Sequence, residues 1–146
     1  MIAIGSDHGG YELKEQLLQF LEENGYETED CGTFSGESVD YPDIAEKVAK
    51  VVLAGDAERG ILVCGTGIGI SIAANKIDGI RAAHCTDPYS ARMAREHNNA
   101  NIIALGGRIT GTELAIEILR AYLDAEFQGG RHQRRVDKIT ALETQN

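Results

Sequence analysis

Ile61-Leu62-Val63-Cys64 is a short apolar run that passes directly into Gly65-Thr66-Gly67-Ile68-Gly69 and then into a helical pattern through about Lys76. A short run with no polar alternation reads as a strand covered on both faces, the mark of a parallel sheet with helices on each side. The glycines let the backbone turn sharply from strand into helix. Few architectures can hold such an element, and the rest of the chain repeats its rhythm.

Ile2-Ala3-Ile4 reads as a first strand, followed by a helix with Leu13, Leu17, Phe20 and Leu21 at helical spacing and Gly25 as its stop. A weaker strand is expected over Tyr26 to Cys31, and Pro42 opens a helix bearing Ile44, Val48, Val51 and Val52. After the glycine loop come a fourth strand around Arg81 to Cys85, a helix around Pro88 to Glu96, a fifth strand at Asn101 to Leu105 and a helix around Glu113 to Phe127. This alternation predicts an α/β chain, a single-domain three-layer α/β/α Rossmann-like sandwich on a five-stranded parallel sheet, with strand order beginning 2-1-3. Residues 1–146 show no repeat, linker or second domain. Gly129-Gly130 breaks the chain before a C-terminal helix at about 132–144, where Val136, Ile139 and Leu142 form an apolar stripe that must dock on something, a partner subunit being one candidate.

A chain of 146 residues buries about two-thirds of the surface its unfolded form exposes, enough for one core without disulfides or metal. The formal charge of −9 argues against nucleic-acid or anionic-membrane partners, because most of the surface repels phosphate. Against that background Arg131, His132, Arg134, Arg135 and Lys138 crowd into eight positions, as either a solvated helix face or a local anion site. Three cysteines with no CxxC spacing, and a start without the basic and apolar segments of a signal peptide, point to a reducing cytoplasm. No apolar run approaches the roughly 18 residues that span a bilayer.

Parallel α/β sheets bind ligands at the carboxyl ends of their strands. Asp7-His8-Gly9-Gly10 follows the first strand and Cys64 with its glycines ends the third, so both belong to that edge. Gly65, Gly67 and Gly69 let backbone N–H groups converge on an oxyanion at a helix N-terminus. The same surroundings favour the thiolate of Cys64 over the thiol, which makes it a candidate base, the alternative being a buried small hydrophobe. Asp7 and His8 read either as a turn and helix cap or as ligands for substrate hydroxyls. His97-Asn98-Asn99 precedes the fifth strand, so His97 joins the Cys64 edge only through a long loop or a neighbouring subunit. His84, within a strand, and Cys31 and Cys85 read as structural.

A dinucleotide site is the obvious rival, since glycines follow a strand and Asp87 lies about 20 residues on. The fingerprint requires a glycine where Ile70 stands, and the chain is short for a cofactor domain plus a substrate domain. The four histidines show no paired ligand spacing, so no metal and no cofactor are expected. A non-catalytic subunit that binds an anionic ligand without turning it over is the other class, with Cys64, Thr66 and His97 arguing for chemistry.

Ile4-Gly5-Ser6-Asp7-His8-Gly9-Gly10, Asp40-Tyr41-Pro42, the run from Cys64 to Lys76, and Gly129-Gly130-Arg131-His132 together resemble the ribose-5-phosphate isomerase B family of sugar-phosphate isomerases over nearly the whole chain. The resemblance implies conversion of D-ribose 5-phosphate to D-ribulose 5-phosphate in the pentose phosphate pathway, through ring opening and a cis-enediolate. It implies a homodimer with active sites at the subunit interface and the C-terminal helix packed there, which would bring His97 to Cys64. Cys64 would be the proton acceptor and His97 the group that opens the ring, with Thr66 assisting. Asp7, His8, Tyr41 and Asn98 would line the sugar, and the backbone of Gly65, Thr66, Gly67, Ile68 and Gly69 would face the enediolate. Arg108, Arg131 and Arg135 would grip the phosphate, turning the basic cluster from a possible solvated face into a clamp. A branch of the family uses a glutamate just after the glycines in place of the cysteine; here that position is Ile70. Relatives acting on allose 6-phosphate or galactose 6-phosphate share this pattern, so a hexose substrate is the alternative, and pairing of dimers into a larger assembly stays open.

Overall fold

The computed structural model describes residues 1–143. Five strands, β1 (Ile2–Ser6), β2 (Thr28–Asp30), β3 (Arg59–Cys64), β4 (Ala82–His84) and β5 (Ile102–Gly106), form one parallel sheet in the order β2-β1-β3-β5-β4. Six helices complete the fold: α1 (Tyr11–Glu23), α2 (Tyr41–Leu53), α3 (Ile68–Asn75), α4 (Pro88–Glu96), α5 (Thr112–Asp124) and α6 (Arg131–Glu143). The expected architecture and the 2-1-3 start are both present. The order then departs from simple succession because β5 inserts between β3 and β4. Every residue of Ile102–Gly106 is buried, whereas Ala82–His84 is only half-buried, so the more apolar strand takes the interior and the shorter one the edge.

Strand residues alternate between two cores. Ile2, Ile4, Ile61, Val63, Ile103 and Leu105 face α1, α4 and α5 and meet Leu17, Leu21, Ile118 and Tyr122. Ala3, Leu62, Cys64, Ile102 and Ala104 face α2 and α3 and meet Ile44, Val48, Ile70 and Ala74. Truncating one of these fully buried side chains to alanine costs about 2–5 kcal/mol. The side of the sheet on which Cys64 lies is therefore fixed by its two-residue offset from Leu62.

Element ends have identifiable causes. Gly25 adopts φ 82° after α1, closing it with a left-handed residue, and Pro42 sits in the first turn of α2. Arg59 donates to the carbonyls of Tyr122, Leu123 and Ala125, closing the C-terminus of α5. On the free edge of β4, the Asn75 amide pairs with both backbone groups of Ala82 at 2.7 and 2.9 Å, standing in for a further strand.

Several boundaries differ from expectation. The second strand is only Thr28–Asp30 and the fourth only Ala82–His84, because the flanking backbone bonds to loops. The C-terminal helix begins at Arg131; Thr144, placed in it from sequence, lies outside the described residues. Its apolar stripe docks only in part. His132 and Val136 are buried, while Ile139 and Leu142 remain 44% and 56% exposed.

Candidate active site

Hydrogen bonds between loops draw the ends of β1, β3 and β5 into one floor. Asp7 N–H donates to the Val63 carbonyl at 3.2 Å, Gly107 N–H to Cys64 at 2.8 Å and Arg108 N–H to Gly65 at 3.0 Å. Close approach dictates the glycines here: a Cβ on Gly9 would lie 3.0 Å from the Gly65 nitrogen, and one on Gly107 would lie 2.8 Å from the Gly9 carbonyl oxygen. Asp7, His8, Cys64, the glycine loop and Arg108 are thereby brought together.

Within the loop, Gly67 takes φ 80° and its N–H donates to Cys64 Sγ at 3.1 Å. An amide donor on sulfur favours negative charge there. Burial, then Asp87, pushes the Cys85 thiol up to about 11, and burial with Glu29 and Asp30 pushes Cys31 up to about 11. Both are thiols near neutrality. Cys31, expected from sequence in the core, is half-buried and packs at the margin of the core on the α2 and α3 side, because β2 is an edge strand.

Thr66 Oγ1 accepts the Ile68 N–H at 3.1 Å and so helps start α3. The Tyr41 ring lies against Gly69, where a Cβ would meet its Cζ at 2.8 Å, so the first turns of α2 and α3 share a wall of the site. Asp7 does act as a cap, since its Oδ1 accepts from Gly10 N–H at 3.2 Å and starts a 3-10 turn over His8–Gly10. That leaves Oδ2 for a ligand. His8 Nδ1 accepts from Val39 N–H at 3.2 Å, so the neutral ring carries its proton on Nε2.

His97 and Asn98 are elsewhere. They follow α4, which runs back from the carboxyl end of β4, so they lie beyond the amino end of β5. A five-residue strand puts roughly 17 Å between that end and the Cys64 floor. His97 stacks on His132, with ring centroids 4.2 Å apart and 11° between planes, and Arg131 and Arg135 share the first turns of α6 with His132. Burial, then His97, Arg131 and Arg135, hold the His132 imidazole below its ordinary range. The chain thus carries two clusters of candidate residues, one at each end of the sheet.

Among the described residues Arg108, Arg131 and Arg135 form no ion pair, although the chain carries 23 carboxylate side chains. Three exposed and unpaired guanidinium groups on an acidic protein are available to an anion. Asp87, which a dinucleotide site would need for a ribose, instead accepts from Ser90 N–H at 2.7 Å and caps α4. Among the described residues no group of three or more histidine, cysteine, aspartate or glutamate side chains converges as a metal cage. No helix there is long and apolar enough to cross a membrane.

Residues 2–139 match the sequence profile of the Ribose/Galactose Isomerase family. The chain belongs to this family. It is 53% identical over 142 residues to the Escherichia coli protein named ribose-5-phosphate isomerase B, covering 97% of this chain and 95% of that one. It is also 49% identical over 145 residues to a D-erythrulose-4-phosphate isomerase of Pectobacterium atrosepticum, covering 99% and 95% of the two chains. Its fold superposes on a Clostridium thermocellum ribose-5-phosphate isomerase B with a TM-score of 0.97 at 60% identity, covering 99% of this chain and 97% of the other.

Reading from sequence passed over Lys14, the Val39 amide and a stacking role for His132. Lys14 had a legible signal: it falls on the apolar stripe of α1 with Leu17, Leu18 and Leu21, where a charge needs a reason. The Val39 contact had none, because a backbone donor from a loop 31 positions away leaves no mark in composition.

Proposed function

We propose that this chain is an aldose-ketose isomerase converting D-ribose 5-phosphate to D-ribulose 5-phosphate, acting as a homodimer that joins the Cys64 end of one protomer to the His97 end of its partner. The observation that carries the proposal is the Gly67 amide on Cys64 Sγ at the carboxyl end of a central strand, in a chain of the Ribose/Galactose Isomerase family. His97 opens the furanose ring, Cys64 as thiolate removes the proton from carbon 2 of the open aldehyde, and the oxygen on carbon 1 takes the charge. The loop from Gly65 to Gly69 offers backbone donors to that oxyanion, the proton of the carbon-2 hydroxyl passes to the carbon-1 oxygen, and the sulfur returns its proton to carbon 1 as carbon 2 becomes the ketone. Thr66 holds the loop, and Asp7, His8, Tyr41 and Asn98 line the sugar. Arg108 from the Cys64 end and Arg131 and Arg135 from the partner's His97 end clamp the phosphate.

Homodimer formation is supported by chemistry and by surface. A base and a ring-opening acid must both reach one sugar, which the sheet's length forbids within a protomer. Ile68 and Ile72 on α3 and Ile139 and Leu142 on α6 leave apolar surface exposed, as a covering partner requires. Three free thiols suit a reducing cytoplasm.

The test is direct turnover of ribose 5-phosphate by purified protein in chelator, beside Cys64→Ala, with allose 6-phosphate, galactose 6-phosphate and D-erythrulose 4-phosphate as competitors for assignment. Metal-independent ketose formation that disappears in Cys64→Ala is the expected result. Faster turnover of another sugar reassigns the substrate, and binding without turnover of any would make the chain a sugar-phosphate-binding subunit.

A further inference from the structure

Lys14 is a charge inside the protein. Its side chain is fully buried on α1, and Nζ lies 2.7 and 2.8 Å from the two carboxylate oxygens of Asp30 on β2. Glu15 approaches Nζ at 3.2 Å, and the rings of Tyr11 and Phe34 lie 5.5 and 5.3 Å from it. Asp30 keeps 25% of its side-chain surface in solvent, but the Lys14 ammonium is wholly desolvated, and that cost offsets much of the attraction, so the pair is a poor stabiliser compared with apolar residues of the same volume. Its presence therefore calls for a role other than stability.

What the pair holds is the start of a connection. Asp30 Oδ1 also accepts from Gly32 N–H at 2.9 Å. Gly32 and Thr33 then bond to both backbone groups of Ser6 at 2.6 and 2.7 Å, extending the β1 ladder past the last residue of β2. From Phe34 to Ser38 the segment is exposed, and it is next fastened where Val39 N–H meets His8 Nδ1. Tyr41 follows two residues later as the first residue of α2. The 31–40 segment is thus anchored at one end by Lys14 and Asp30 and at the other by His8.

We propose that Lys14 and Asp30 are positioning residues for His8: the buried pair fixes the 31–40 segment, and the segment's Val39 amide holds the His8 ring with Nε2–H directed to substrate. This rests on the assignment of His8 to the sugar site. Neither Lys14 nor Asp30 touches substrate. Their loss frees the ring to rotate and to exchange tautomers.

The experiment pairs kinetics with ring nitrogen NMR. In the wild type, the His8 imidazole, assigned by His8→Gln, should show the Nε2–H tautomer. In Lys14→Met it should show averaging of the two tautomers. In kinetics, Lys14→Met should shift KM and kcat in the same ratio as His8→Ala and add little to it, giving a non-additivity of about twofold to 100-fold in kcat/KM, as coupled residues do. Lys14→Met with Asp30→Leu removes both charges and serves if the single variant fails to fold. Multiplicative losses, or an unchanged His8 tautomer in a folded variant, overturn the proposal. A wild type that turns over no sugar phosphate overturns the isomerase assignment instead, and the NMR result still decides the positioning.

Discussion

Mixing two variants tests most severely the proposed homodimer, in which the site is divided between protomers. Cys64→Ala damages the carboxyl-end half-site and His97→Asn the amino-end half-site, which stand roughly 17 Å apart in one protomer against a proton-transfer reach of about 3 Å. A heterodimer of the two variants has one site in which both halves are altered and one in which both are native. Random assortment from equal amounts makes about half of all dimers hybrid, each with one intact site of two, so the mixture should recover about a quarter of wild-type activity. Differential tagging to purify the hybrid should raise this to about half of the wild-type kcat per dimer, with KM unchanged because the surviving site is native throughout. Co-expression avoids reliance on subunit exchange, and sizing chromatography confirms that the hybrid is dimeric. A purified hybrid no more active than its parents would refute the shared-site arrangement.

Two further outcomes follow from local geometry. Gly67→Ala puts a side chain at φ 80°, costing about 1–2 kcal/mol, and aims its Cβ at the Leu105 carbonyl carbon, 2.8 Å away, and at His84 Cδ2, 2.7 Å away. Thermal melting should fall by at least about 2–4 °C, and kcat should drop about 100-fold as the N–H leaves Cys64 Sγ; an undiminished kcat in the folded variant would count against that donor. His132, held below its ordinary range by burial and by His97, Arg131 and Arg135, resists protonation in the folded chain. The unfolded chain takes up that proton as pH falls through about 6.5, so folding should weaken on acidification below it. In urea unfolding at about pH 7.5 and pH 5.5, His132→Gln should lose less stability between the two than the wild type, and equal losses would contradict this.

Apolar patterning carried the architecture because a buried parallel strand and an amphipathic helix each write their burial directly into residue spacing. Ile61–Cys64 and Ile102–Leu105 could hardly be anything but interior strands, and both are wholly buried. Strand edges were read too generously at Tyr26 to Cys31 and at Arg81 to Cys85, where pairing ends sooner than residue type does. The gathering of Asp7, His8, Cys64 and the glycine loop at one end of the sheet was legible as well, since its glycines answer to local backbone demands that leave one residue type acceptable. His97 was legible as a candidate and even as misplaced, because α4 must return it to the opposite edge.

The sequence by itself determined the alternation of strands and helices, the glycine loop at Cys64 and the family to which the chain belongs, all of them properties of neighbours along the backbone. Only the tertiary structure decided that β5 lies inside β4, that Lys14 meets Asp30, and that the Val39 amide meets the ring of His8. These are contacts between residues distant in the chain. Their energies depend on which surfaces meet after collapse, and no local pattern encodes that choice.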